Sequence, residues 1–338
     1  MDYRAALFGG HHFPDASKKT LEIATMSGRK FTNTHTLCGH SSDVTCVAVI
    51  DDDTIVSGSS DYSLILWDVE SGRMVKKLTG HSSYVWCVAT IDQYTIVSGG
   101  RDETLKIWDV ESGRLIKTIN NNHGSTAPKR PWHSKAFLCV TAINHNTIIS
   151  GSCDNLIKIW DTTSGEELKR FIGHLHYVLC IAIIDTHRFV SGSSDNSIKI
   201  WDMDSGIVIQ TLFGHWSDVN CITVIDTHTI ISGSQDETIK MWNIDSGMIL
   251  KTLCSSHIYC FAMIDKNSIV SGGLQRIGKK EDMANVWNLD SGESITSLSG
   301  HSGAVNCMAV IDNDTIVSGS CDQSLKIWSR HRHSKGKW

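Results

Sequence analysis

The sequence predicts an all-β chain built from seven like units, and three observations carry that prediction. Trp67, Trp108, Trp160, Trp201, Trp242, Trp287 and Trp328 follow one another at intervals of 41, 52, 41, 41, 45 and 41 residues, a period that fills almost the whole chain. Inside each period, short β-branched runs such as TIVSG and TLKIW alternate with turns such as IDDDT, SSD and ESG, the pattern of four short strands per unit. Only three prolines occur and no helical apolar spacing is sustained, so helices are not expected.

Composition bounds the class. Of the 338 residues 41% are hydrophobic and 20% charged, the proportions of a globular protein. A net charge of -5 lacks the basic surplus of a nucleic-acid binder. The opening MDYRAALFGGHHFPDASKK has no basic stretch leading into a long apolar run, and no segment reaches 18 apolar residues. Neither a secretory leader nor a membrane span is expected, which points to an intracellular setting, cytoplasmic before nuclear. Seven of the eleven cysteines, Cys46, Cys87, Cys139, Cys180, Cys221, Cys260 and Cys307, recur at one place in the unit. Repeat-equivalent positions in an array stand further apart than the roughly 7 Å a disulfide spans. The set therefore reads as a buried slot for a small side chain in a reducing compartment.

Gly39-His40, Gly80-His81, Gly173-His174, Gly214-His215 and Gly300-His301 each precede a tryptophan, by 27 residues counted from the histidine. Trp-Asp stands at 67–68, 108–109, 160–161 and 201–202, relaxing to Trp-Asn at 242 and 287 and Trp-Ser at 328. This pattern resembles the WD-repeat family over residues 27–329. The resemblance implies a seven-bladed β-propeller, each unit one four-stranded blade, between an N-terminal arm (1–26) and a basic tail (330–338). Little sequence follows Trp328, while SGRKFTNTHTLCGH (27–40) echoes SGRMVKKLTGH (71–81). A strand near 33–37 is thus expected to complete the last blade, which closes the ring and removes a sheet edge.

Serine, histidine and aspartate recur with the motif and raise the question of a catalytic triad. The sets are His40, Ser57, Asp61; His81, Ser98, Asp102; His133, Ser150, Asp154; His174, Ser191, Asp195; His215, Ser232, Asp236; and His301, Ser318, Asp322. An enzyme needs one exposed nucleophile beside an oxyanion site, not six identical sets, and no G-x-S-x-G elbow is present. The resemblance implies another role: each set joins its tryptophan (Trp67, Trp108, Trp160, Trp201, Trp242 or Trp328) in one buried hydrogen-bonded chain. No catalytic residue, cofactor or metal is expected. GLQRIGKK (273–280) nearly matches a phosphate-binding loop, but ends in Lys280 where a hydroxyl belongs and leads into a strand. Cys254, His257 and Cys260 have ligand chemistry, yet Cys260 fills the core slot. His176 pairs only with a His174 already committed to its set.

Departures from the repeat are where function is expected. Eleven extra residues give NNNHGSTAPKRPWHS (120–134), and the sixth unit lacks Gly-His, is shortened before Cys260 and gains residues around 274–281. The family geometry places both insertions on one end of the ring, together with the entrances of the inner strands. There units two to four supply Tyr84, Trp86, Leu138, Tyr177 and Leu179, with Arg101 before a turn aspartate, Arg130 and Trp132 from the long loop and Trp216 from the fifth unit. Aromatic and arginine side chains are those enriched in binding hot spots. The opposite end, with turns such as IDDDT, ESG and IDNDT, is expected to be acidic.

The expected function is a non-enzymatic scaffold or adaptor presenting a peptide or protein binding surface on the loop-rich face. It would be a monomeric propeller within a complex, with protein or peptide partners and neither nucleic acid nor membrane. A substrate-recognition subunit of a ubiquitin ligase is an alternative. Against it, about 26 residues before the propeller are too few for an F-box, and no Trp-Asp-x-Arg occurs. A structural component of a larger particle is another; a G-protein β-like subunit would need an N-terminal coiled coil.

Overall fold

The computed structural model describes residues 30–121, 135–274 and 283–330. The regular structure of these residues is strand throughout, in seven four-stranded antiparallel sheets. Blade 1 shows the plan, with an inner strand Val44–Val49, then Thr54–Ser59, Ser63–Asp68 and an outer strand Met74–Thr79. Each inner strand packs against the inner strands of both neighbouring blades, so the seven sheets surround a common axis. This is the seven-bladed propeller the repeats predict.

Closure is made by the strand from the start of the chain. Thr32–Cys38 pairs antiparallel with the third strand of blade 7, Ser324–Ser329, with Thr32 opposite Ser329 and Cys38 opposite Ser324. Phe31 is buried between blades 6 and 7, and the Arg330 guanidinium lies 4.2 Å from its ring centroid.

Seven apolar clusters form the core of the described residues, and each is shared between one blade and the next. The alternating strand pattern thus buries both faces of every sheet against a neighbour. Close approach depends on the glycine after each tetrad serine. A Cβ on Gly192 would stand 2.6 Å from Val219 Cγ1 of the next blade and 2.7 Å from Cys180 Sγ, so no larger residue fits. The repeated cysteines are free thiols; Cys180 Sγ lies 3.4 Å from the Val219 carbonyl of blade 5. Burial pushes the thiols of Cys46 and Cys139 up to about 12, which keeps them protonated and inert.

Outer strands are tied to the following blade as well. Lys76 and Lys117 donate to the carbonyls of Glu111 and Thr163. Lys169 reaches Met203 O at 2.7 Å, Gln210 reaches Ile244 O at 2.6 Å and Lys251 reaches Leu289 O at 2.8 Å. Thr296 and His35 occupy this place in blades 6 and 7.

The ring has two unlike ends. Inner-to-second and third-to-outer turns leave at one end, which exposes Asp52, Glu70, Glu111, Asp204, Asp245 and Asp290. The crossovers between blades and the second-to-third turns leave at the other.

Candidate functional site

The crossover end is built on the buried tetrads. In blade 4 the Trp201 Nε1–H donates to Ser191 Oγ at 2.8 Å, and His174 Nε2 lies 2.7 Å from that oxygen and Nδ1 2.8 Å from Asp195 Oδ2. The same chain is made by Trp67–Ser57–His40–Asp61, Trp108–Ser98–His81–Asp102, Trp242–Ser232–His215–Asp236 and Trp328–Ser318–His301–Asp322. One proton arrangement satisfies every member: indole N–H to serine oxygen, serine O–H to Nε2, Nδ1–H to carboxylate. It requires a neutral histidine. Burial accordingly pushes His40, His215 and His301 down, against the opposing pull of their aspartates, and nearby Lys77, Lys240 and Lys326 add to the lowering. Burial alone would raise Asp102 and Asp322, but the hydrogen bonds they receive and the neighbouring histidine bring both to about 2.

Blades 3 and 6 differ. Trp160 Nε1 donates to Ser150 Oγ at 2.8 Å, while Asp154 Oδ2 takes Lys158 Nζ at 3.3 Å and the Asn121 amide at 3.4 Å. Lys158 Nζ also donates to Asn121 Oδ1 at 2.6 Å. His133, expected in this set, lies outside the described residues. In blade 6, Trp287 Nε1 donates to Ser271 Oγ at 2.8 Å.

The tetrad aspartate also grips the crossover above it. Asp61, Asp102, Asp195, Asp236 and Asp322 accept the backbone N–H of Ser41, Ser82, Leu175, Trp216 and Ser302 at 2.9–3.1 Å. Whatever side chain follows Gly-His is therefore held on a fixed backbone.

Tyr84, Trp86, Leu138, Tyr177 and Leu179 lie half-buried at the starts of three adjacent inner strands. Arg101, exposed, places its guanidinium 5.3 Å from the centroid of the Tyr84 ring, which also meets Tyr62 at 5.7 Å. Tyr177 lies against His176 at 4.2 Å. Cys153, the blade-3 residue at the position of Arg101, is buried, with 9% of its surface exposed. Trp216 is 87% exposed. Arg130 and Trp132 lie outside the described residues, as do most of GLQRIGKK and the basic tail. Among the described residues no cluster of metal-ligating side chains occurs, and no helix is long and apolar enough to cross a membrane.

Sequence reasoning missed four residues. Ile172, Leu175 and Phe213 join Trp216 as the most exposed large apolar side chains of the crossovers. The signal was available in the positions flanking Gly-His, which read Cys38/Ser41, Thr79/Ser82 and Ser299/Ser302 elsewhere but Ile172/Leu175 and Phe213/Trp216 in blades 4 and 5. Tyr259 of blade 6, half-buried, stands at the position of Trp86.

A ring of seven blades, five of them anchored by a complete Trp–Ser–His–Asp chain beneath a short Gly-His crossover at one end, defines a repeat propeller of the tetrad-bearing kind. The chain belongs to the WD-repeat family: the sequence pattern described as "WD domain, G-beta repeat" matches residues 31–68, 72–109, 129–161, 165–202, 206–243 and 292–329. The stretch between the last two matches holds the outer strand of blade 5 and the first three strands of blade 6, joined by a crossover that lacks Gly-His. The WD40 propeller domain of Doa1 superposes with a TM-score of 0.76 at 23% identity, covering 90% of this chain and 98% of that one. Curated relatives match over short stretches. Mitochondrial division protein 1 of Eremothecium gossypii is 35% identical over 57 residues, 17% of this chain and 8% of its own length. Ribosome biogenesis protein YTM1 of the same organism is 35% identical over 75 residues, 22% of this chain and 17% of its own. Eukaryotic translation initiation factor 3 subunit I of Xenopus tropicalis is 45% identical over 51 residues, 14% and 15% of the two chains. The matched segments thus span under a fifth of these relatives.

Proposed function

We propose that the chain is a non-enzymatic, intracellular scaffold or adaptor that holds one or more proteins on its crossover end. One observation carries the reading. Where the inner strands open at that end, Thr45, Asn220 and Asn306 donate to the carbonyls of Val85, Ile258 and Val44 on the next blade. In three successive blades this self-satisfying polar residue is replaced by Trp86, Leu138 and Leu179, which leave apolar surface at the mouth of the ring. With Tyr84, Tyr177 and Arg101 beside them, they supply the residue types of a binding hot spot on a frame that loses little order on binding. The five complete tetrads serve as scaffold, since the serine of each is buried and bonded on both sides.

A component of a larger particle is the second reading, favoured by the relative whose name makes it a subunit of a translation initiation factor. The test compares proteins recovered with the wild-type chain and with a Tyr84→Ala/Trp86→Ala/Tyr177→Ala variant shown by circular dichroism to be folded. A defined partner set is expected to be lost. Recovery of the same partners by the variant overturns the assignment of this sector.

A further inference from the structure

We infer that the crossovers of blades 4 and 5 form a second contact on this end, a set of apolar knobs for a folded protein partner with an apolar cavity edged by lysine or arginine. It rests on the reading of the crossover end as a protein-binding face, and adds a site and a partner chemistry to it.

The internal repeat supplies the control. Five crossovers share one backbone plan, with Gly-His held under the tetrad. Three carry small or polar residues on both sides of it; two adjacent ones carry Ile172, Leu175, Phe213 and Trp216, exposed by 73%, 83%, 75% and 87%. The fold therefore does not demand apolar residues there. Solvent does not favour them either.

Their presentation is rigid. Leu175 and Trp216 donate their backbone N–H to Asp195 and Asp236 at 2.9 and 3.0 Å. Leu175 O accepts Asn155 Nδ2 at 3.2 Å. Gly173 and Gly214 seat against the rings of Trp201 and Trp242. Side chains exposed to this degree are protrusions, so their complement is concave, as a folded domain is and a linear peptide is not. They hold on the order of 600 Å² of side chain in solvent, most of the roughly 800 Å² that each partner gives to a standard interface.

Charge chooses among occupants. Asp218 lies on the Trp216 crossover and Glu237 follows the aspartate that holds it, 3.7 Å from His257. The cations around these crossovers are engaged within the ring: Lys199 and Lys240 turn onto Thr211 and Thr252 at 3.0 and 3.3 Å, Lys251 onto the Leu289 carbonyl at 2.8 Å, and Arg170, two residues before Ile172, pairs with Glu167 at 3.0 Å. A second copy would set like charges against one another, and an anionic membrane surface would be repelled. A basic rim is matched by the acids, and its arginine or lysine would meet the open face of Trp216.

The test places the photo-crosslinking amino acid p-benzoylphenylalanine at position 216, at 82 (its blade-2 equivalent) and at 86 in the full chain, in its native cell. Position 216 is expected to capture a partner that 82 does not, through an apolar surface with lysine or arginine at its edge. The purified partner should then bind Leu175→Ser/Trp216→Ser about 30-fold more weakly than wild type. Trp216→Phe should retain most of the binding and Asp218→Lys should weaken it. The serine variant carries residues the chain itself uses at these positions, and its melting temperature checks its fold. Capture at 86 but not at 216 overturns this inference and leaves the broader reading standing, while capture at neither sinks both. Crosslinks to a second copy or to an unstructured segment, or sedimentation with vesicles of phosphatidylcholine and phosphatidylserine that the serine variant abolishes, overturn the partner class.

Discussion

Replacing Ser191 with alanine removes one hydroxyl and orphans two buried groups. The Trp201 indole and His174 imidazole are bonded to it at 2.8 and 2.7 Å, and both are buried. Leaving a buried polar group unpaired costs about 1–3 kcal/mol, so Ser191→Ala should destabilise by about 3–4 kcal/mol. Blade 6 supplies the comparison. Ser271 holds the Trp287 indole, and no Gly-His histidine precedes this blade, so among the described residues Ser271→Ala orphans one group and should cost about 1–2 kcal/mol. Equilibrium urea denaturation followed by tryptophan fluorescence and far-ultraviolet circular dichroism measures both. Coincident transitions with an unchanged m-value license the comparison. Equal losses for the two variants, or a loss under about 0.5 kcal/mol for Ser191→Ala, would refute the view that the tetrad is one connected hydrogen-bonded unit.

Acid should act on the tetrads in two stages. A histidine whose pKa is depressed by burial binds fewer protons folded than unfolded, so His40, His215 and His301 contribute stability that is complete above about pH 6.5 and declines as the pH falls toward their folded values. Asp102 and Asp322, lowered to about 2, add a second loss that begins below about pH 4. Melting temperatures taken downward from neutral pH should therefore fall first between about pH 6.5 and 5; a flat or rising profile there contradicts the neutral-histidine assignment. At the turn after Asp322, exposed Gln323 has φ of +68°, the left-handed region, where Asn155 and Asn196 stand in blades 3 and 4. Gln323→Asn should stabilise by about 0.5 kcal/mol, because asparagine tolerates this conformation better. A lowered melting temperature would count against backbone strain at this turn.

Much of the architecture is legible because a repeat states its rules several times over. The tryptophan period, the 27-residue step from histidine to tryptophan and the echo of SGRMVKKLTGH in the N-terminal segment lead to seven blades and their closure. In blades 1, 2, 4, 5 and 7 tetrad membership could be assigned to individual residues for the same reason. Surface character was harder to read. Tyr84 carries the same aromatic signal as Trp216, yet it is flanked by Tyr62 and Arg101 and half-buried, whereas Trp216 stands in solvent. Residue type does not encode which neighbours a side chain finds across a turn. Ile172, Leu175 and Phe213 lie on crossovers of ordinary length, outside the inner strands and the insertions, so neither signal marks them. Lys158 and Asn121 could not be foreseen as a pair, since 37 residues separate them.

The pairing of Thr32–Cys38 with Ser324–Ser329 joins positions as much as 297 residues apart. A ribosome releases the first of these strands long before the second exists. Until then the strand Thr32–Cys38 has no partner, and the inner strand of blade 1 faces an empty flank where blade 7 will stand. Blades 1 to 6 thus emerge as an open arc with two sticky edges, and the final sheet forms only when Ser324–Ser329 meets Thr32–Cys38. Such long-range closure is slow, and unpaired edges invite association while it is pending.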